Sequence, residues 1–175
     1  FAGHALLWEL AAEKAEAEFV EMGPAEGEAC LEKITGQLAE WSRHNDGVLW
    51  LVLIGHGTFD GREARLSLTG PDLTPEHLVE ALKNHTGDLV MVHTGSASEP
   101  FARALRGERR VLVTATKSGD EVFYTRFGKP FAEAIGGLPR ADLDQDGQVS
   151  VLEAFLHAAA EVAQFYVEQE RIATE

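Results

Sequence analysis

The stretch LVLIGHGTFDG, Leu51 to Gly61, decides how the rest of the chain is read. It closes the apolar run VLWLVLIG, residues 48–55, in which no polar residue alternates. Such a run reads as a strand buried on both faces, as in a parallel sheet covered by helices. It ends in Gly55-His56-Gly57, two residues before Phe59 and the turn pair Asp60-Gly61. Glycines on both sides let the backbone turn sharply and approach another group closely. A histidine held there sits at the carboxyl end of a strand, where open α/β sheets gather their functional side chains.

Working outward, the same grammar recurs. DG at 60–61 followed by ARLSL predicts a small hairpin. Thr74, Pro75 and Glu76 announce a helix as N-cap, first-turn proline and dipole-matched acid. DLVMVH, 88–93, and RRVLVTAT, 109–116, are further buried strands. SEPFARALRG between them reads as a short helix with Ser98 as N-cap and Gly107 past its end. Upstream, residues 2–16 are rich in helix formers, with Leu6, Leu10, Ala11 and Ala15 as the apolar stripe. EFVEM, 18–22, reads as a short strand, 27–43 as an amphipathic helix on Leu31, Ile34, Leu38 and Trp41, and HNDG, 44–47, as a turn. Downstream, a helix is expected around 125–135. A long one follows from Ser150 to Ile172, its stripe being Leu152, Phe155, Leu156, Val162 and Phe165. Strands alternating with helices predict a single α/β domain over 1–175 with a parallel sheet. Phe1 opens inside a helical pattern, so the chain reads as the interior of a longer polypeptide, and the sheet as one short of its first strand.

Bulk composition narrows the function classes. The chain has 175 residues and a net charge of −14, which argues against nucleic acid and anionic membranes as partners. No apolar run reaches membrane-spanning length. Cys30 is the only cysteine, so no internal disulfide is possible. Its neighbours Glu28 and Glu32 oppose thiolate formation, which makes it a poor nucleophile.

The densest motif is ADLDQDGQVSVLEAF. Asp142, Asp144 and Asp146 fall at positions 1, 3 and 5 of a twelve-residue loop, Gly147 at 6, Gln148 at 7, Ser150 at 9 and Glu153 at 12. This is the ligand spacing of an EF-hand calcium loop: three carboxylates, a backbone carbonyl, a hydroxyl and a terminal carboxylate able to bind through both oxygens. Val149 supplies an apolar anchor, but no orthodox helix precedes the loop. Calcium is therefore the expected ion. A single unpaired loop implies weak affinity, which suits an extracytoplasmic location where calcium is abundant.

The ordered set of Gly55-His56-Gly57 after a buried strand, a second strand ending in the small-residue loop VHTGSAS, then VLVTATKSGDE, FGKPFAEAI, ADLDQDGQVSVLEAF and IATE resembles the legumain-like cysteine peptidases of the caspase fold, over roughly residues 48–175. The resemblance implies a caspase-like α/β/α sandwich with its catalytic histidine at His56, and the Gly57 N–H placed to meet a developing oxyanion. It also implies a cysteine at the end of the next strand, and the matching position is Gly95. A glycine has no nucleophile. The leading expectation is thus a degenerate peptidase-fold domain, stabilised by calcium, that binds a peptide or protein partner or acts as a scaffold. Two alternatives stay open. One is a hydrolase in which His56 activates Ser96 or Thr94. The other is a metal-dependent hydrolase with zinc on His56, His93 and Asp60. Lys117, Glu121 and Arg126 occupy the region that lines the specificity pocket in that family.

Overall fold

Val48–Leu53 forms β1, the first of three parallel strands, in a computed structural model that describes residues 2–23, 30–44, 47–170 and 173. The other strands are β2 (Gly57–Phe59), β3 (Ala64–Leu66), β4 (Asp88–His93) and β5 (Arg110–Thr114). The helices are α1 (Ala2–Lys14), α2 (Cys30–Trp41), α3 (Pro75–Ala81), α4 (Glu99–Ala104), α5 (Gly128–Ile135) and α6 (Val151–Glu168). The fold is mixed α/β, and its described residues divide between two compact units, Met22–Tyr124 and Phe1–Glu21 with Thr125–Glu175.

In the first unit the sheet runs β1-β4-β5, all parallel, with Leu53, His93 and Thr114 aligned across its carboxyl end. The expectation of burial on both faces holds for β4 alone, where Leu89 through His93 are all buried. In β1, Leu51 and Leu53 point into the core while Val48 and Trp50 are exposed, and in β5 Val111 is exposed. The reason is position: β4 lies in the middle of the sheet, and β1 and β5 lie at its sides. An unbroken apolar run does not reveal which strand is central. The core joins Leu51, Leu53, Leu89 and Met91 to Ile34 and Leu38 of α2, Leu78 of α3 and Phe101 of α4. Cys30 is buried there as well.

Local chemistry sets the element ends. The hairpin β2–β3 forms as the DG pair requires, with Asp60 accepting the N–H groups of Arg62 and Glu63. Thr74 caps α3, and the ring of His77 reaches back to the Thr74 N–H to complete a capping box. Ser98 does not cap α4. It has helical backbone angles, and its hydroxyl is committed to Thr116 at 2.9 Å, a long-range partner that outcompetes the local N–H. Of the HNDG turn, residues 45 and 46 lie outside the described residues, as do 27–29 of the expected second helix.

The second unit corrects three expectations. Residues 18–22 form no strand. In α1, Leu6 and Leu10 are exposed and Trp8 is the buried residue, packed 5.9 Å from the ring of Phe131 on α5. In α6 the expected stripe is rotated: Leu152 is 65% exposed and Leu156 is 47% exposed, while Val162 is buried as expected and is joined by Ala154, Ala158 and Tyr166. These four recur every fourth residue, and the alanines let α5 approach closely. Sequence hydrophobicity favours the larger leucines, yet the close helix contact selects the smaller side chains. The helix ends at Glu168, and residues 171 and 172 of its expected last turn lie outside the described residues.

Ala158→Leu should destabilise the protein by about 1–3 kcal/mol, because the added methylenes have no space at the α5 contact. Leu156→Gln should change stability by less than about 0.5 kcal/mol. Chemical denaturation of the two variants decides between the stripes, and the reverse ranking restores the one read from sequence.

Candidate functional site

The parallel register brings the ends of β1 and β4 side by side, and with them the segments Gly55–Gly57 and Thr94–Ser98. They meet as a closed seam. The Thr94 N–H and hydroxyl both donate to the Leu53 carbonyl, at 2.9 and 3.1 Å. Ser96 Oγ accepts the Gly57 N–H at 3.0 Å and donates to the Gly57 carbonyl at 2.8 Å. A Cβ added at Gly95 would collide with the Gly55 carbonyl oxygen, and one added at Gly57 would collide with that of Ser96. Here the glycines serve close backbone approach. The next turn is equally tied: the Ala97 N–H donates to the Glu121 carbonyl at 2.9 Å, and Ser98 and Thr116 exchange backbone-to-hydroxyl bonds at 2.8 and 3.0 Å. Ala97 holds φ of +50° within this turn, although it has a Cβ.

Each residue read from sequence as chemical has a defined place. His56 is exposed, and its carbonyl accepts the Ser67 N–H at 2.9 Å. Among the described residues, its imidazole makes no hydrogen bond to Ser96 or to any other. The Gly57 N–H, expected to face an oxyanion, is taken by Ser96 Oγ. His93 is fully buried, edge-on to Phe101 at 4.7 Å, and burial lowers its pKa to about 3. Asp60 serves the hairpin: the N–H groups of Glu63 and Arg62 and the Arg65 guanidinium hold its carboxyl at about 2. His56, His93 and Asp60 are not brought together as a three-ligand cluster. Glu121 accepts the N–H groups of Lys117 and Ser118, and Arg126 lies 3.7 Å from the centre of the Phe165 ring.

The acidic loop is the second candidate site. Asp142, Asp144 and Asp146 each offer a carboxylate oxygen, all within 4.8 Å of one another, so this group could hold a metal ion. The loop is wound by its own carboxylates. Asp142 accepts the N–H groups of Asp146 and Gly147 at 3.2 and 3.0 Å, Asp144 that of Asp146 at 3.2 Å, and Asp146 that of Gln148 at 2.8 Å. Gly147 at φ of +87° makes the sharp turn its position demands. Three carboxylates this close repel one another, and a bound cation would relieve that repulsion.

Glu153 stands apart from the three aspartates. Its Oε1 accepts the N–H groups of Leu143 and Asp144 at 2.8 and 3.2 Å, and its Oε2 accepts the Ser150 N–H and hydroxyl, both at 2.8 Å. The Ser150 N–H and hydroxyl, then the Leu143 and Asp144 N–H groups, bring its pKa down to about 2. Ser150 and Glu153 thus form a capping box that starts α6 and ties it to the loop. The S-x-x-E spacing signals that box in the sequence, whereas the Ser96–Gly57 and Ser98–Thr116 bonds join distant residues and leave no local signature.

The chain matches no known family model, no curated protein and no solved structure.

Gly95→Ala should cost about 3 kcal/mol, since its methyl must displace the Gly55 carbonyl. Gly107→Ala, whose methyl would lie 3.8 Å from Arg110, should stay within about 0.5 kcal/mol. Equal unfolding midpoints for the two variants would show that the seam is loose.

Proposed function

We propose that this chain is a non-catalytic domain of caspase/legumain-like type, stabilised by calcium at residues 142–153, that works by binding a peptide or protein partner or as a scaffold. The observation that carries the non-catalytic half is the closed seam. The position matching the family's cysteine is filled by a glycine whose missing side chain leaves room only for the Gly55 carbonyl. The hydroxyl of Ser96 has its proton and a lone pair committed to Gly57, and no hydrogen bond among the described residues links it to His56. A nucleophile needs a base within hydrogen-bond reach and a donor free to meet the developing charge. This geometry gives correspondingly little support to a hydrolase built on Ser96 or Thr94. A zinc hydrolase at His56 and His93 has less, since one imidazole is exposed and the other fully buried.

Calcium is favoured over other ions by the donor set: Asp142, Asp144 and Asp146 as carboxylates, Gln148 through its carbonyl and Ser150 directly or through water. All are oxygen ligands, and their number and mix suit a large hard cation better than magnesium with its octahedral demand. Glu153, the expected twelfth-position ligand, joins only by giving up bonds to Leu143, Asp144 or Ser150. That exchange weakens the site and fits the weak affinity of extracytoplasmic calcium modules.

With a Kd on the order of 10⁻⁴ to 10⁻³ M, calcium at about 10 mM stabilises the fold by roughly 1.4–2.7 kcal/mol. For a chain of this size that raises Tm by roughly 3–10 °C. Asp144→Ala should abolish the rise while leaving the Glu153 clasp and the Asp142–Gly147 bond in place, and scanning calorimetry with and without calcium reads both. An undiminished calcium response in Asp144→Ala removes the ion from this loop.

Turnover of a diverse fluorogenic peptide library should not exceed that of His56→Ala, with or without calcium. Cleavage that disappears in His56→Ala would make the domain an enzyme.

A further inference from the structure

We propose that the loop Gly95–Ser98 is an acid-released latch, held shut by the neutral ring of His93 and opening before the rest of the first unit unfolds. This inference is independent of the calcium loop.

The Gly95 N–H donates to His93 Nδ1 at 3.1 Å. An N–H can donate only to an unprotonated nitrogen, so Nδ1 carries no proton and the ring is the neutral Nε2–H tautomer. The ring is fully buried, and Nε2 has no hydrogen-bond partner among the described residues. Leu53 of β1 and Thr114 of β5 align with it in the sheet, and Phe101 of α4 lies against the ring. None of these ionises near neutral pH. Burial weakens its basicity, with no charged side chain among the described residues contributing. It belongs to no metal-ligating group of the described residues.

Protonation at Nδ1 would set two donors face to face and place an uncompensated charge among apolar groups. The imidazolium therefore requires the loop to leave. The loop is already inclined to leave, because Ala97 is held at φ of +50°, a conformation that costs a residue with a Cβ. What opposes departure is a short series of bonds from His93, Gly57, Glu121 and Thr116. Loss of the first frees Gly95 from the Gly55 carbonyl, and the Ser96–Gly57 pair with it.

The sign follows from linkage. The closed state binds a proton with pKa about 3, and the open state at the ordinary histidine value of 6.5. Closure is therefore fully favoured above about pH 6.5 and weakens tenfold per pH unit below it, until the closed-state pKa is reached. Between pH 7 and pH 5 the open population should rise roughly 25-fold.

The test is amide hydrogen exchange by NMR, corrected for the intrinsic pH dependence of exchange. Gly57, Gly95 and Ala97 should lose protection roughly 25-fold between pH 7 and pH 5, while Met91 and Val92 in β4 keep theirs. In His93→Gln, which cannot titrate, the response should vanish. Should that variant fail to fold, the shape of the profile in the unmodified protein serves instead: protection at Gly57 and Gly95 must stay level above about pH 6.5 and fall about tenfold per pH unit below it. Constant protection at Gly57 and Gly95, an equal pH response in His93→Gln, or simultaneous loss at Met91 and Val92 overturns the latch.

Discussion

Gly95 and Gly55 touch backbone to backbone, and the carboxyl end of the sheet depends on that contact. Two parallel strands diverge into loops where their ladder stops, and every polar group there must find a new partner. In this chain other protein groups supply those partners. Thr94 covers the Leu53 carbonyl, Ser96 pairs with both backbone groups of Gly57, and Ser98 exchanges bonds with Thr116. A side chain at Gly95 or Gly57 would force the loops apart and break these pairings together. The residue types that a catalytic reading singles out are here the residue types that close a seam.

Much of the architecture is legible in the sequence because it rests on local chemistry. Thr74-Pro75-Glu76, the DG turn and the apolar runs of β1, β4 and β5 announce elements through capping, turn preference and burial, all properties of neighbouring residues. What is not legible depends on partners far away in the chain. Trp8 rather than Leu6 faces inward because Phe131 lies there. Ala154 and Ala158 rather than Leu152 and Leu156 are buried because α5 approaches closely. Ser98 abandons its expected cap because Thr116 is adjacent in space.

The candidate site divides the same way. The spacing of Asp142, Asp144 and Asp146 is a one-dimensional pattern, and the three carboxylates converge as it requires. The part played by Glu153 is decided in three dimensions. The same carboxylate matches the twelfth position of a calcium-loop pattern and the third helical position of a capping box, and in this fold the Ser150 cap on one oxygen and the Leu143 and Asp144 N–H groups on the other use its acceptor capacity. His56 shows the converse. Its sequence setting is the most suggestive in the chain, yet its side chain meets neither Ser96 nor a metal cluster.

The Glu153 clasp has a consequence for how the acidic loop meets any cation. Leu143 and Asp144, at the entrance of the loop, and Ser150, at its exit, are fastened to one carboxylate before an ion arrives. The loop is therefore preorganised. Its aspartates converge with little conformational entropy left to lose, so binding is spared most of the ordering cost that a disordered acidic segment incurs. An ion arriving there would stiffen a curve already drawn, and the first turn of α6 would stand whether or not the ion is present.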